Sequence, residues 1–452
     1  MVGKKVARKK VDHFEVVPKK AYVKNFGPVA EADIELKPLT VLMGPNNTGK
    51  TYISTLLLIA ENVINLFQYY YDVLLPDIRK SKEVVRVIMG EKEIEISGDK
   101  VDVSDFIKQG LDKILAELYS VTNLGELVKR DADSGVVNIQ FKQLMDIGDS
   151  HFNVKIFVTK DGNMQVDLQI PPFRPYMGGV VYIPAERAGM MRTYKQLLRL
   201  YLESFRRLPL PPSLEKRAKK IMGEESISRI RLPGVVSILL DEILSIDKFT
   251  SKERAESKYR GALELLEDET LQGVIELGED LAVTYTEKSS GQSFDLINTS
   301  SMVSEVSAIY ILTKLLGPNS WFVIEEPEAH VHPKGQMGIA RFLAALTRSR
   351  VNVFITTHSD LIALKLANIV GLAKLKEDDR MKLGYRADEY LERTQLALYF
   401  MEPGDKGSTA KRIEVSETGE IEELPTYSKV IEEMYGESVE LLKLYGKIPT
   451  LS

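Results

Sequence analysis

Gly44-Pro45-Asn46-Asn47-Thr48-Gly49-Lys50-Thr51 follows the apolar run Leu39–Met43 and precedes a helical pattern that begins near Thr51. The stretch has the form G-x-x-x-x-G-K-[ST], in which small residues let backbone N–H groups surround phosphate oxygens. A helix that begins there adds the positive end of its dipole to the same anion site. The stretch therefore predicts an α/β P-loop NTPase fold that binds a nucleoside triphosphate.

Each position of this loop has an expected task. Lys50 is expected to reach the β and γ oxygens, and the Thr51 hydroxyl is expected to ligate Mg2+. The residues expected to contact the nucleotide are Asn46, Asn47, Thr48, Gly49, Lys50 and Thr51.

Composition limits the classes of protein that fit. The 452 residues suffice for two or three domains, or for one domain with an insertion. No apolar run approaches the roughly 18 residues that a membrane-spanning helix requires, and the basic first residues lack the apolar core of a secretory signal. We therefore expect a cytoplasmic protein without membrane contact. The absence of cysteine excludes disulfides, thiolate metal sites and cysteine nucleophiles.

Apolar runs at 321–324 and 351–356 alternate with helical patterns at 303–316 and 334–348, which predicts parallel βαβ units. Strand patterns between 84 and 170 predict a β-rich lobe. The expected segments are a flexible basic tail (1–18), an N-terminal lobe (19–189), a helical insertion (190–280), a C-terminal lobe (281–375) and a small α+β extension (376–452).

Two carboxylates end one of these apolar strands, at Glu325 and Glu326. Successive side chains of a strand point to opposite faces, so the pair can divide its tasks. Glu325 is expected to hold Mg2+ through water, and Glu326 to polarise the water that attacks the γ-phosphate. A solvated acidic turn is the alternative interpretation.

The chain resembles a known family at several of these motifs. They are Lys24-Asn25-Phe26, the loop 44–51, Glu325-Glu326-Pro327-Glu328-Ala329-His330-Val331-His332-Pro333 and Ile355-Thr356-Thr357-His358-Ser359. Together they resemble the ABC-class ATPases of the SMC and OLD-like group, more narrowly its stand-alone AAA-family ATPases, over about 20–60 and 180–375. The resemblance implies a two-lobed ABC-type ATPase head that forms a head-to-tail homodimer around two ATP molecules. After residue 360 the chain has no Asp-x-Asp, so we expect no TOPRIM nuclease domain.

The resemblance also assigns roles to individual residues. His358 matches the family's switch histidine, which contacts the γ-phosphate and the attacking water; a capping role after a buried strand is the alternative. Ser300 and Ser301 fall where the family's signature motif lies, with Thr299 and Met302 replacing its usual leucine and glycine. They are expected to donate to phosphate across the dimer, and an ordinary helix N-cap is the alternative.

Several polar residues carry weaker signals. Arg187 is expected either to touch phosphate or the dimer partner, or to form a structural ion pair. His330 and His332 have a spacing conceivable for a metal pair, without further ligands nearby. No glutamine of the sequence is recognisable as the family's Mg2+ sensor.

A basic stretch at 192–220 contains Arg206, Arg207, Lys216 and Lys220, the residues expected to contact DNA. A solvated helix face is the equally weighted alternative. Because the whole chain carries a net charge of −5, nucleic-acid binding requires such a local patch. The sequence therefore predicts an ATPase that drives DNA processing, repair or defence with a separate effector, or alternatively an ATP-gated protein-interaction switch without DNA contact.

Overall fold

The computed structural model describes residues 13–69, 85–89, 92–96, 103–143, 151–168, 174–205, 234–249, 258–278, 282–421, 424 and 427–445. A 12-stranded mixed sheet has the order β10-β14-β15-β3-β16-β17-β2-β1-β6-β7-β8, with β9 paired to β1. Its strands are β1 (His13–Phe26), β2 (Val29–Glu35), β3 (Leu39–Met43), β6 (Ser134–Gln143), β7 (His151–Thr159), β8 (Met164–Leu168), β9 (Arg174–Tyr176), β10 (Val180–Ile183), β14 (Trp321–Glu325), β15 (Asn352–Thr357), β16 (Leu396–Glu402) and β17 (Ser408–Ile413).

Smaller sheets and helices complete the described fold. The strand pairs are β4 (Val85–Met89) with β5 (Lys92–Ile96), and β11 (Gly273–Leu277) with β12 (Val283–Glu287), which also pairs with β13 (Ser293–Asp295). The helices are α1 (Lys50–Ser54), α2 (Leu56–Tyr69), α3 (Val103–Leu118), α4 (Arg187–Phe205), α5 (Gly234–Phe249), α6 (Arg260–Leu265), α7 (Ser301–Leu312), α8 (Pro333–Arg348), α9 (Asp360–Gly371), α10 (Glu377–Lys382) and α11 (Tyr427–Leu444). Among the described residues, no helix combines the length and the apolar character that crossing a membrane requires.

One half of the large sheet is parallel, from β10 through β14, β15 and β3 to β16. Every residue of β3 and β14 is buried, as expected for strands covered on both faces. Along β14, Phe322 and Ile324 pack on one side, and Val323 packs on the other. The expected mixed α/β P-loop architecture is thereby confirmed.

The other half of the sheet is mainly antiparallel and forms the predicted β-rich lobe. Along β7 buried and partly exposed residues alternate, so one face of this half packs on the core and the other faces outward. The lobe begins earlier than expected, because β1 starts at His13 and its Val16 is fully buried. The prediction of a flexible tail was therefore wrong for residues 13–18, which form the start of β1.

The strands expected in a C-terminal extension belong to this same sheet. β16 pairs with β3, and β17 joins β16 to β2, so they connect the parallel half to the antiparallel half. β16 is apolar and almost entirely buried, as expected for a strand covered on both faces. The range 190–280 contains α4, α5 and α6, but it also contains β11, which helical periodicity did not reveal. The domain boundaries stay predictions.

Glu61 on α2 has a carboxyl whose pKa is raised in the folded protein. Its Oε1 accepts a hydrogen bond from Val180 N at 2.9 Å, and burial raises the pKa of this carboxyl to about 7. The facing carboxyl is Glu242 on α5, whose pKa rises to about 8 through burial and then through repulsion from Glu61 and Asp241. Below about pH 4.5 the carboxyl of Glu61 is protonated in both the folded and the unfolded state, so it has no effect on stability. Between about pH 4.5 and 7 it ionises more readily in the unfolded state, because its folded-state pKa is raised, and the fold is progressively destabilised.

We expect Glu61→Gln to lessen the decline in unfolding free energy between pH 5 and pH 7.5, by at most about 3 kcal/mol. Urea denaturation at both pH values measures the difference, with Glu402→Gln at an exposed position as the matched control. Equal pH dependence of parent and Glu61→Gln would contradict the assignment.

Candidate nucleotide-binding site

The loop 44–51 connects β3 to α1 with left-handed backbone at several positions. The φ angles are 144° at Gly44, 62° at Asn47 and 86° at Gly49, which caps α1. A Cβ on Gly44 would lie 2.8 Å from the Met401 carbonyl oxygen, so the strand β16 leaves no space for a side chain there. Glycine is therefore required both by the backbone angle and by the close approach of β16.

Lys50 is folded into this loop and is largely buried. Its Nζ donates to the carbonyl oxygens of Gly44 at 3.0 Å and Pro45 at 2.7 Å. Burial lowers the pKa of this ammonium, while the carboxylates of Glu326, Glu328 and Glu325 act in the opposite direction. The cation expected to meet phosphate thus lies in the field of the carboxylates that end β14.

The hairpin of β16 and β17 holds the loop 44–51 through Ser408. Ser408, at the start of β17, donates its hydroxyl to the Thr48 carbonyl at 2.5 Å, and its N–H donates to the Pro28 carbonyl at 3.0 Å. The Thr48 hydroxyl in turn donates to the Pro45 carbonyl. Sequence reasoning missed Ser408, since no motif marks a serine that acts 360 residues after the loop it supports.

Glu325 is the last residue of β14 and only 4% exposed. Its Oε1 accepts hydrogen bonds from Ser54 Oγ at 2.9 Å and Tyr182 OH at 2.8 Å, and the Thr51 hydroxyl also bonds this carboxyl. Burial raises its pKa, and these three donors oppose the shift. The Thr51 and Glu325 oxygens are hard ligands side by side, which fits the expected Mg2+ position.

Glu326 leaves the strand in a different direction. Its φ of 44° is rare for a residue with a side chain, and its N–H donates to the Thr356 carbonyl at 2.8 Å. The carboxylate lies half-buried, with Oε1 3.3 Å from His358 Nε2. The hydrogen bond from His358 is the largest influence and lowers the pKa of Glu326. Glu325 is therefore buried, whereas Glu326 is partly accessible.

His358 directly follows β15, which lies between β14 and β3. Its backbone N–H donates to Glu328 Oε1 at 2.6 Å, and burial raises the pKa of that carboxyl. The second oxygen, Glu328 Oε2, is buried and lacks a hydrogen-bond partner among the described residues. In the sequence Glu328 is recognisable only as part of a motif, and nothing there indicates that it fixes the backbone of His358.

Arg187 is completely buried and forms the structural ion pair, one of its two expected roles. Its Nε lies 3.0 Å from Glu305 Oε2. Its Nη1 and Nη2 donate to the carbonyl oxygens of Glu325 at 2.6 Å and Glu326 at 2.8 Å. The guanidinium therefore fixes the peptide units that carry both carboxylates.

The segment around Ser300 takes the form of a helix start. Ser300 caps α7 by accepting a hydrogen bond from Val303 N, which is the contact of a helix N-cap. Within the described residues no hydrogen bond joins Ser300 or Ser301 to the loop 44–51 or to the carboxylates. Arg192 on α4 holds the segment by donating to the Thr299 carbonyl at 2.7 Å and Ser304 Oγ at 3.0 Å.

The histidines at 330 and 332 have separate partners. His330 Nδ1 lies 3.1 Å from Glu305 Oε1, and His332 Nδ1 accepts from Lys334 N at the start of α8. Across the described ranges, no group of three His, Asp or Glu side chains is arranged to hold a metal ion. The structure thus provides no support for a metal pair at these positions.

Comparison with known families agrees with this geometry. Residues 19–158 match a family described as "AAA ATPase domain", and residues 190–364 match one described as "AAA domain, putative AbiEii toxin, Type IV TA system". The chain therefore carries AAA-family ATPase domain sequence over the loop 44–51 and over the segment that bears Glu325, Glu326 and His358, which confirms the resemblance at that level. No match is found among curated proteins.

Similar solved structures include SMC head domains from three prokaryotes. The head from Pyrococcus yayanosii has a TM-score of 0.46 at 11% identity and covers 93% of this chain and 100% of that one. The Pyrococcus furiosus head bound to the C-terminal domain of ScpA gives 0.42 at 12%, covering 93% and 100%. The Thermotoga maritima head gives 0.38 at 14%, covering 88% and 99%. Scores of this size support no conclusion about function.

We expect Lys50→Ala to reduce ATP affinity at least tenfold, because the cation that offsets the β/γ-phosphate charge is removed while the loop backbone remains. Isothermal titration calorimetry measures the affinity. Lys406→Ala, at an exposed lysine between β16 and β17, is the matched control and should bind as the parent does. Unchanged affinity of the Lys50 variant would contradict the site.

Proposed function

We propose that this protein hydrolyses ATP with Mg2+ at the interface of a head-to-tail homodimer in the cytoplasm, and that this cycle drives DNA processing, repair or defence through a separate effector. The observation that carries the catalytic part is the Glu326–His358 pair, 3.3 Å apart at the sheet edge that also bears Lys50. The family match supports ATP as the substrate.

The proposed chemistry assigns one task to each part of the site. The backbone of the loop and Lys50 bind the β- and γ-phosphates. Thr51 and Glu325 would hold Mg2+, which neutralises charge on the phosphates when bound. Glu326, whose pKa is lowered, stays ionised and accepts a hydrogen bond from the attacking water, while His358 fixes the Glu326 carboxylate and faces the γ-phosphate.

The dimer is the second part of the proposal. Ser300 and Ser301 lie at the N-terminus of α7, whose backbone N–H groups and dipole favour an anion. Phosphate of an ATP held by the partner subunit is the anion that we assign to this end of α7. Such an arrangement makes the active site complete only in the dimer.

Glu326→Gln tests this function. The amide keeps the size of the side chain but cannot accept a proton, so kcat should fall about a hundredfold or more while ATP remains bound. The variant should accumulate as an ATP-bound dimer in size-exclusion chromatography with light scattering. Glu325→Gln is the contrasting variant, since it should raise the Mg2+ concentration needed for half-maximal turnover.

A Glu326→Gln protein that hydrolyses ATP at the parental rate would remove Glu326 from this role. A variant that binds ATP but remains monomeric at every concentration tested would remove the dimer from the proposal and leave the binding site intact.

The second candidate function is an ATP-gated protein-interaction switch. It is favoured by α11, whose apolar side chains Met434, Tyr435, Leu441 and Leu444 are exposed. The residues expected to contact DNA, Arg206, Arg207, Lys216 and Lys220, lie outside the described residues.

We expect charge reversal of these four basic residues to Glu to weaken DNA binding and to reduce the slope of log K against log salt by roughly 0.9 for each lost contact with duplex DNA. Basal ATP hydrolysis should persist. Fluorescence anisotropy over a range of salt concentrations measures both quantities. If the parent shows no DNA affinity at low salt, or if the reversed protein keeps the parental slope, the protein switch is the better function.

A further inference from the structure

Glu305 lies at the junction of two parts of the site that are far apart in sequence. It belongs to the second turn of α7, the helix that Ser300 caps, and it is only 2% exposed. One oxygen, Oε2, lies 3.0 Å from Arg187 Nε, and the other, Oε1, lies 3.1 Å from His330 Nδ1. Each carboxylate oxygen therefore has its own cationic or hydrogen-bonding neighbour.

Arg187 and His330, the two neighbours of Glu305, are both linked to Glu326. Arg187 donates to the carbonyl oxygens of Glu325 and Glu326, so its position sets the peptide units on either side of the Glu326 Cα. His330 lies in the turn that follows, where Ala329 N donates to the Glu326 carbonyl at 3.0 Å. Arg187 contacts the start of this turn at the Glu326 carbonyl, and His330 joins its other end to Glu305.

Burial makes this connection rigid. The side chains of Arg187 and Glu305 are 0% and 3% exposed, and separating two buried opposite charges is strongly unfavourable. A shift of α7 therefore displaces Arg187 through its ion pair with Glu305. The displaced Arg187 in turn moves the Glu326 peptide unit to which it donates a hydrogen bond. Because Glu326 already has a strained φ of 44°, a small displacement changes the direction of its carboxylate.

We propose that Glu305 is a positioning residue that couples the N-terminal end of α7 to Glu326 within one protomer, through Arg187 on one side and His330 on the other. The proposal rests on the function proposed above, in which that end of α7 meets the partner's phosphate. Engagement of one nucleotide then regulates hydrolysis of the other, because it fixes α7 and thereby the Glu326–His358 geometry.

His330 is the position at which to test the connection. Removing Arg187 or Glu305 would leave a buried unpaired charge and unfold the site, whereas the His330 side chain is 63% exposed. Its φ of 58° is a left-handed angle that Asn and Asp both tolerate. His330→Asn keeps a hydrogen-bond donor towards Glu305, and His330→Asp has the same shape but repels it.

Steady-state ATPase kinetics of the full chain compare these two variants. We expect His330→Asp to lower kcat about ten- to hundredfold, as displacement of a reacting group does, with KM and ATP affinity within about twofold of the parent. His330→Asn should remain within about threefold of the parent in kcat. His151→Asp, at an exposed histidine of β7, controls for the added charge.

Hydrogen exchange of the nucleotide-free protein gives a readout that does not require hydrolysis. Peptides covering 325–333 should exchange faster in His330→Asp than in the parent, in His330→Asn or in His151→Asp. If the parent hydrolyses no ATP, the proposed function fails, and the exchange data alone decide whether the connection exists. Equal exchange and equal kcat in both His330 variants would overturn the proposal. A loss of kcat that is equal in both variants and parallels a fall in their melting temperatures would also overturn it.

Discussion

The parallel pairing of β15 with both β14 and β3 is the constraint on which the site depends. In this register Glu325 lies beside Thr356, and Thr357 lies beside Met43. The ends of three strands therefore meet at one edge, and the residues that follow them meet as well. A slip of one residue would turn each side chain to the opposite face, and it would bury Glu326 in place of Glu325.

Two adjacent glutamates acquire different properties from this edge. Glu325 is enclosed by hydroxyl donors, and burial raises its pKa, whereas Glu326 faces His358, which lowers its pKa. The covalent chemistry of the two side chains is identical, so the difference comes entirely from where the strand ends. One carboxylate is suited to a metal and its waters, and the other is suited to an exchanging water molecule.

Local patterns predicted the residues at this edge and failed for those that support them. The loop 44–51 and the pair Glu325–Glu326 are recognisable because each lies within a short stretch of fixed spacing. Apart from the nearby Pro184 carbonyl, the partners of Arg187 and Ser408 lie between 118 and 380 residues away in the chain, and no local pattern encodes such contacts. The position of β16 inside the sheet was missed for the same reason, since strand order depends on tertiary packing.

Because β16 pairs with β3, the large sheet can form during synthesis only after β16 has been made. The chain must grow by about 350 residues after β3 before β16 is available to pair with it, which takes roughly 20 to 70 seconds at ordinary elongation rates. During that interval β3 presents an open edge, and the loop lacks the Ser408 hydroxyl beneath Thr48. A nascent chain thus emerges with its phosphate-binding residues already made but without the serine that holds Thr48, and nucleotide can favour folding of this loop only after Ser408 has been synthesised.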